Sequence, residues 1–283
     1  MLSFLGDSPR LIEHILRVLH EKSRSERLFP KGISGSADTS AVLLLLGLHC
    51  DHSRPAPEPC LVFNKRSMRV KQPGDLCFPG GRIAPRSDFY LSKILSLPLF
   101  PLARWPYWRR WQKQRHLEAK RLALLLAASM REGLEEMRLN PLSVRFLGPL
   151  PRQGLQMFQR VIYPMVGWIP RQKRFFPNWE VEKIVHIPLQ NLLNGDKYAS
   201  YRLNMGADRD SRSNRITDDF PCFLHQDRDE REVLWGATYR ITMVFLELVF
   251  GFRPPSPEAL PVIYGSLDEN YLTGSGRSSP GSR

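Results

Sequence analysis

The distribution of apolar positions along the chain predicts alternating strands and helices. Apolar residues recur at helical spacing in the first 22 residues, from about residue 117 to 138, and in TYRITMVFLELVFGF near the C-terminal end. Valine-, isoleucine- and leucine-rich runs predict strands in AVLLLLGLH, PCLVFNKRS, SVRFLGPLP, RVIYPMVGWIP and EKIVHIPL. Strands on both sides of a central helix predict a mixed α/β, or α+β, sandwich in one domain.

The same pattern divides the chain into three regions. An N-terminal amphipathic helix and loop cover residues 1–39, the main domain covers 40–252, and the polar segment 253–283 is predicted to be disordered. A proline-broken, aromatic and basic insert at about residues 89–120, predicted to be helical, interrupts the domain. It carries Trp105, Tyr107, Trp108 and Trp111, close to several arginines and lysines.

Three interpretations of this insert stay open. It can be a lid that stacks on a nucleotide, a surface for peripheral contact with an anionic membrane, or a hairpin that packs its aromatic side chains on the domain. Aromatic and basic residues together also bind single-stranded nucleic acid, but no nucleic-acid-binding motif supports that interpretation.

The composition adds a preference for anionic partners. The chain has 283 residues, 42% hydrophobic, and a net charge of +13, which favours nucleic acid, a phosphorylated metabolite or a membrane surface. The four cysteines, Cys50, Cys60, Cys77 and Cys222, lack metal-ligand or redox spacing. They are expected to be reduced thiols. With no signal-peptide pattern and no apolar run near the ~20 residues of a membrane span, we expect a cytoplasmic protein.

The central helix carries the candidate chemistry. Glu132, Glu135 and Glu136 fall on one helical face beside Arg131, and such carboxylates repel one another unless a cation lies among them. A solvated acidic face is the simplest interpretation. The sequence FPGG at residues 78–81 favours another, because a double glycine lets backbone carbonyls join the carboxylates around a hard divalent cation.

Together, FPGG and R-E-x-x-E-E resemble the signature of the Nudix hydrolases. The resemblance implies an α/β/α sandwich with a mixed sheet and a site for Mg²⁺ or Mn²⁺. Its implied ligands are Glu132, Glu135, Glu136, the backbone carbonyl of Gly80, and Glu180, with Glu182 as the alternative to Glu180. Glu132, Glu135 and Arg131 are the implied catalytic residues, and which glutamate acts as the base stays open.

A second resemblance concerns the substrate. The stretch VFNKRSMRVKQPGDLCFPGG, residues 62–81, is similar to an additional pattern of the Nudix subgroup that cleaves coenzyme A. It implies substrate contacts from Arg66, Ser67, Lys71 and Gly74, and hydrolysis of coenzyme A or acyl-CoA to 3′,5′-ADP and (acyl) 4′-phosphopantetheine. The alternatives are Nudix hydrolysis of another nucleoside diphosphate derivative, and a non-catalytic module that binds RNA or a membrane.

The chain also departs from the Nudix pattern. The insert separates Gly81 from Arg131, so the acid in the middle of the signature has two candidates: Asp88 and the more distant Glu118. Gly133 stands at the first apolar position of the signature. Arg138 replaces its final glycine and can alter how the helix ends. Trp235, at the start of the last helix, is expected in the core rather than stacked on a base.

Overall fold

Two β-sheets and six α-helices make up the part of the chain that the computed structural model describes. Those residues are 5–30, 38–49, 57–155, 160–172, 174–205, 217–227, 230–267 and 271. The helices are α1 (Ser8–Ser25), α2 (Pro85–Leu95), α3 (Trp108–Gln114), α4 (His116–Met137), α5 (Leu189–Leu192) and α6 (Gly236–Phe250). The strands are β1 (Thr39–His49), β2 (Glu58–Arg66), β3 (Leu76–Cys77), β4 (Gly80–Arg82), β5 (Arg145–Pro149), β6 (Gln153–Leu155), β7 (Arg160–Trp168), β8 (Val181–Pro188), β9 (Tyr198–Met205), β10 (Thr217–Asp227), β11 (Glu230–Leu234) and β12 (Val262–Leu267).

The larger sheet is mixed and lies between helices. Strand β1 pairs antiparallel with β2 and β4 and parallel with β7. Strand β2 also pairs with β3 and β8. Strand β7 also pairs with β5 and β6. Leu43, Leu44, Leu45 and Leu46 of β1 are all buried, so both faces of this strand are covered. Helix α4 packs against β1 and β4, and α1 packs against β5 and α6. The predicted sandwich with a mixed sheet is confirmed.

A second sheet has the strand order β11-β10-β9-β12. Its last strand contradicts the predicted disordered segment 253–283, because Val262–Leu267 pairs in parallel with β9. The edge of β9 offers unpaired backbone groups, and a short β-branched and aromatic run, VIYGSL, satisfies them. Tyr271 is also buried. Residues 268–270 and 272–283 lie outside the described part of the chain.

The insert packs its tryptophans onto the domain. Trp105, Trp108 and Trp111 are buried, and the Trp105 indole Nε1 donates a hydrogen bond to the Leu147 carbonyl at 3.2 Å. The Trp105 ring also meets Phe146 edge-on, at 5.2 Å between centroids. The structure therefore agrees with the packing interpretation. A lid or a membrane surface made by these tryptophans is wrong, since burial against the core removes their rings from solvent.

Two further expectations concern thiols and membrane spans. Cys60, Cys77 and Cys222 are free thiols, as predicted, and Cys50 lies outside the described residues. None of the helices in the described ranges combines the length and apolarity needed to cross a membrane.

Candidate active site

The site forms where the double glycine of β4 meets helix α4. Gly81 pairs with Ala41 and Gly80 with Val42 of β1, which brings β4 across the helix. A Cβ atom at Gly80 would overlap the backbone of Ala41 and Val42, and one at Gly81 would overlap the Glu132 carboxylate. Gly80 therefore needs glycine, because its close neighbours are backbone atoms, whereas a side chain at position 81 would have to displace the Glu132 carboxylate.

Arg131 organises the open side of this helix. Its Nε donates to Asp88 Oδ1 at 2.8 Å, and its Nη1 donates to Glu132 Oε1 at 3.0 Å and to Glu135 Oε2 at 3.1 Å. Burial lowers the pKa of Arg131, but the hydrogen bond to Asp88 and the charges of these carboxylates outweigh burial and raise the pKa above its ordinary value. Arg131 thus stays charged and fixes Glu132.

The two candidates for the signature acid have different places. Asp88 is fully buried on Arg131, and its other carboxylate oxygen accepts a hydrogen bond from the Ala84 backbone N–H at 2.6 Å. Glu118 instead pairs with Arg115 at the start of α4. At ~1.5 Å of rise per residue, that position is roughly 20 Å along the helix from Glu132. Of the two candidates, Asp88 is therefore the one that pairs with Arg131.

Glu136 is the most buried of the three glutamates Glu132, Glu135 and Glu136 on α4. It accepts a hydrogen bond from Asn64 Nδ2 at 2.7 Å. Burial raises the pKa of Glu136 to about 8, and the charges of Glu132 and Glu180 act in the same direction. Burial likewise raises the pKa of Glu132, although Arg131 opposes it, and the charge of Glu180 again adds to the increase. These three carboxylates are close enough to repel one another.

Glu180 and Glu182, the two alternatives for a fourth carboxylate ligand, have different surroundings. Glu182 pairs with Lys65 at 3.2 Å. Glu180 instead lies next to the site. Its carbonyl accepts from the Ser67 backbone N–H at 2.8 Å, and its own N–H donates to Asn178 Oδ1 at 2.8 Å. The Asn178 N–H in turn donates to the carbonyl of Glu136 at 2.8 Å, so the segment carrying Glu180 is tied to the end of α4.

The donor set fits a hard divalent cation, although the site is not preassembled. Within the described residues, no three His, Cys, Asp or Glu side chains form a ready metal cluster. Arg131 holds Glu132, and Asn64 holds Glu136. The available donors are all carboxylate oxygens that repel one another, which is the environment that Mg²⁺ or Mn²⁺ neutralises. Gly80, in β4 opposite Val42, stays a predicted carbonyl ligand.

The loop that follows β2 gathers the predicted substrate residues. Arg66 donates from Nε to the Lys71 carbonyl at 2.7 Å, and the Gly74 N–H donates to the Arg66 carbonyl at 2.9 Å. Gly74 has φ +77, which favours glycine. The Ser67 hydroxyl donates to the Trp179 carbonyl at 2.8 Å, so it supports the neighbouring segment. Lys71 is exposed.

An aromatic cluster, which the sequence did not predict, anchors this loop. Asp75 accepts hydrogen bonds from the Tyr271 hydroxyl and, at 2.9 Å, from Trp235 Nε1. The Tyr271 carbonyl also accepts from the Gln72 N–H at 2.7 Å. Trp235 is half-buried and lies 5.6 Å from the Tyr201 ring, so it packs in this cluster and not in the hydrophobic core where it was expected. Nothing in the polar C-terminal segment pointed to Tyr271.

Asn64 is the other residue that sequence analysis missed. It is fully buried in β2, between Phe63 and Lys65, and holds Glu136. An amide directly after the apolar run CLVF, inside a predicted strand, is the signal that could have identified it, because a buried polar side chain needs a partner. Burial raises the pKa of the adjacent Cys77 thiol to about 12, with Glu136 contributing, so this thiol stays protonated.

The end of α4 corrects the expectation for Arg138. Arg138 itself adopts the left-handed conformation, with φ 55 and ψ 38, and its N–H donates to the Leu134 carbonyl at 3.1 Å. The Leu139 N–H reaches the Gly133 carbonyl at 3.1 Å. A Cβ at Gly133 would lie 2.9 Å from the Leu139 side chain. The helix therefore ends in the left-handed cap without glycine, and Gly133 makes room for Leu139.

Comparisons with known proteins give a distant likeness. No family model matches the chain, and no curated protein matches its sequence. Three similar solved structures are a NUDIX hydrolase from Nitrosomonas europaea (12% identity, 81% of each chain, TM-score 0.36), a C. elegans Ap4A hydrolase binary complex (11%, 56% of this chain and 84% of that one, 0.33), and the NUDIX domain of Shewanella oneidensis NrtR complexed with ADP ribose (11%, 61% and 85%, 0.33). At TM-scores this low, the likeness defines neither the family nor the activity of this chain.

Proposed function

We propose that this protein is a divalent-metal-dependent Nudix pyrophosphohydrolase that cleaves a nucleoside diphosphate derivative, with coenzyme A or acyl-CoA as the substrate. The observation that carries the proposal is the burial of Glu136 within reach of the charges of Glu132 and Glu180, with the Gly81 backbone against Glu132. A merely solvated acidic face would not bury Glu136 or place a glycine backbone against Glu132. Mutual repulsion among buried carboxylates costs free energy in the free protein, and a bound cation relieves it.

The metal ligands in this proposal are Glu132, Glu136, Glu180 and the Gly80 carbonyl. Bound Mg²⁺ or Mn²⁺ would polarise a phosphoryl oxygen and lower the pKa of a bound water. Glu135 is half exposed and pairs with Arg131, which suits a role at the edge of the site. Arg131 orients Glu132 and Glu135, because it holds one oxygen of each carboxylate.

The chain's own residues account for the remaining requirements. Asn64 donates to one oxygen of Glu136 and so fixes the orientation of that carboxylate. Asp88 holds the Arg131 guanidinium from the buried side and so keeps it aligned with the glutamates. Glu132 and Glu135 are the candidates for the general base.

The substrate assignment rests on the loop from Arg66 to Gly74. Arg66 lies close enough to the carboxylate cluster for its charge to oppose the increase in the pKa of Glu136. We assign phosphate contacts of the substrate to Arg66 and Lys71, and close backbone approach to Ser67 and Gly74. Lys71 brings a charge without the bidentate fork of arginine. A cytoplasmic location accompanies this proposal.

The test is hydrolysis of coenzyme A with Mg²⁺ or Mn²⁺, followed by mass spectrometry. We expect 3′,5′-ADP from the wild type, at least about 10³-fold less from Glu136→Gln, and none with a chelator. Glu182→Gln is the matched control, because Glu182 pairs with Lys65 outside the cluster. Hydrolysis of ADP-ribose or Ap4A but not coenzyme A would retain the enzyme class and overturn the substrate. No hydrolysis of any of these with either metal would overturn the enzyme itself.

A further inference from the structure

The outer face of helix α2 and the turn after it expose a continuous set of large apolar side chains. We call this set the α2 patch: Phe89, Tyr90, Ile94, Leu97 and Leu99. Tyr90 is 66% exposed and Leu99 is 79% exposed. Single exposed apolar residues are ordinary on a protein surface, but five within eleven consecutive residues form a patch that usually marks an interaction surface.

The fold leaves the α2 patch outward because the opposite face of α2 is already used. Asp88 and Leu95 on that opposite face are fully buried, and α2 packs against α4. Positions 86, 90 and 94 lie four residues apart within α2, and position 93 lies next to them, so they line one side of the helix. The exposed stripe is therefore a fixed property of how α2 docks, and rotating the helix to hide it would expose Asp88.

The turn that follows α2 presents its leucines through an unfavourable backbone conformation. Leu99 has φ 76, a region that a leucine rarely adopts. The turn is closed by hydrogen bonds from the Phe100 N–H to the Leu97 carbonyl at 3.2 Å and from the Leu102 N–H to the Leu95 carbonyl at 3.2 Å. A strained, exposed apolar residue at the tip of a closed turn is characteristic of a functional contact.

The charges around the α2 patch specify the partner. Residues 82–115 contain eight lysines and arginines and one acidic residue, Asp88, which is buried on Arg131. Arg86 and Lys93 lie on the exposed stripe itself, and Lys93 Nζ stands 4.3 Å from the centroid of the Phe89 ring. The α2 patch thus combines exposed apolar side chains with the positive charges of Arg86 and Lys93.

From this combination we propose that the α2 patch binds the surface of an anionic lipid bilayer. An interfacial helix has an apolar face flanked by lysine and arginine, and aromatic rings suit the headgroup region. A lysine on such a helix extends its alkyl stem along apolar surface while its ammonium reaches the headgroups. Arg86 and Lys93 lie among the apolar side chains of the α2 patch, and an anionic bilayer offers both the negative headgroups and the apolar layer that this mixture needs.

Binding would place the candidate site at the bilayer surface. Asp88, on the inner side of α2, holds Arg131 of the site, so one helix separates the bilayer from the carboxylates. This inference does not depend on which nucleotide is cleaved, and it assigns to α2 the membrane contact that the buried tryptophans cannot make.

The experiment is vesicle flotation of the full chain with phosphatidylcholine alone or mixed with phosphatidylglycerol. We expect binding to the anionic vesicles and little to the neutral ones, with weaker binding at high salt. Leu97→Ser combined with Leu99→Ser should reduce the partition coefficient about tenfold or more. Lys93→Gln should reduce it about fivefold, as expected for one basic residue at an anionic surface.

Matched controls separate the α2 patch from general basicity. Tyr264→Ser removes an equally exposed apolar side chain in β12, and Arg171→Gln removes an exposed charge after β7. Both should bind vesicles as the wild type does. No binding to anionic vesicles would overturn the proposal. Equal losses of vesicle binding in the control variants would also overturn it. So would patch variants that lose binding to single-stranded RNA or to a protein partner but still bind anionic vesicles. Activity on a soluble substrate should stay unchanged in the patch variants, which distinguishes this proposal from the proposed catalysis.

Discussion

The carboxylate cluster of α4 and the basic region around α2 both collect like charges, and they handle them in opposite ways. Glu132 and Glu136 lie mostly buried, so repulsion between them persists and each needs a fixed partner, Arg131 or Asn64. Arg86 and Lys93 are exposed, so water and salt screen them. A buried cluster of like charges favours one compact counter-ion, whereas an exposed cluster favours an extended surface of opposite charge.

The aromatic residues of the insert also fall into a buried group and an exposed group. Trp105, Trp108 and Trp111 are buried, while Phe89 and Tyr90, which precede them in the chain, are exposed. The tryptophans therefore contribute stability, and the residues of α2 are free to contact a partner. Substitutions at buried and at exposed positions test this difference, and the largest effect is expected at a buried tryptophan.

Trp105→Ala should destabilise the protein by about 3–5 kcal/mol, because it removes a buried ring and leaves a cavity beside Phe146. Tyr90→Ala, in the same inserted region, should change the free energy of unfolding by no more than about 0.5 kcal/mol. Urea denaturation of both variants measures the difference. Equal losses of stability would mean that the two kinds of aromatic residue in the insert are not distinguished by burial.

Asp88→Asn should lower stability by about 2–3 kcal/mol. The substitution weakens the pairing with Arg131 and leaves that guanidinium partly buried without its closest carboxylate. Hydrolysis should fall as well, because Arg131 then loses the group that aligns it. Asp196→Asn, at a surface turn, is the control. Thermal unfolding with a parallel activity assay would reveal a purely structural role if stability fell while activity per folded molecule did not.

Gly81→Ala should lower kcat/KM about 10- to 100-fold while changing stability little. The new methyl group displaces the Glu132 carboxylate, and small displacements of a catalytic group have effects of this size. Gly154→Ala is the matched control, because a Cβ there meets open space. Steady-state kinetics together with a denaturation curve will check the result. If Gly81→Ala showed the kcat/KM of the wild type, the role assigned to Glu132 in the site would be wrong.

Tyr271→Phe should have the smallest effect, a loss of about 1 kcal/mol, because one of the two hydrogen bonds to Asp75 disappears. If the loop from Arg66 to Gly74 binds substrate, the loss should appear as a higher KM with kcat nearly unchanged. Tyr264→Phe is the control, since Tyr264 is an exposed tyrosine in β12. An unchanged KM for Tyr271→Phe would separate the aromatic cluster from substrate binding.

Much of the fold was predictable from local sequence pattern. The five strand-like runs and three helix-like runs all occur in the structure, because apolar periodicity records which face of each element is buried. The second sheet, β9 to β12, and the short strands β3, β4 and β6 were missed. The strand Val262–Leu267 illustrates the reason, since six residues in a polar segment have no strand signal strong enough to outweigh their surroundings. Its formation depends on the edge of β9, which no local pattern encodes.

For this protein, the sequence alone determined the eight strongly patterned elements, the acidic face of α4 and the need for a close backbone at the double glycine. These follow from short-range geometry, in which spacing along the chain equals spacing in the structure. Only the tertiary structure decided the partners: Asp88 for Arg131, Asn64 for Glu136 and Tyr271 for Asp75, which lie 43, 72 and 196 residues apart. Contacts at such separations depend on how sheets and helices pack, and the same packing sets which aromatic residues are buried and which reach the surface.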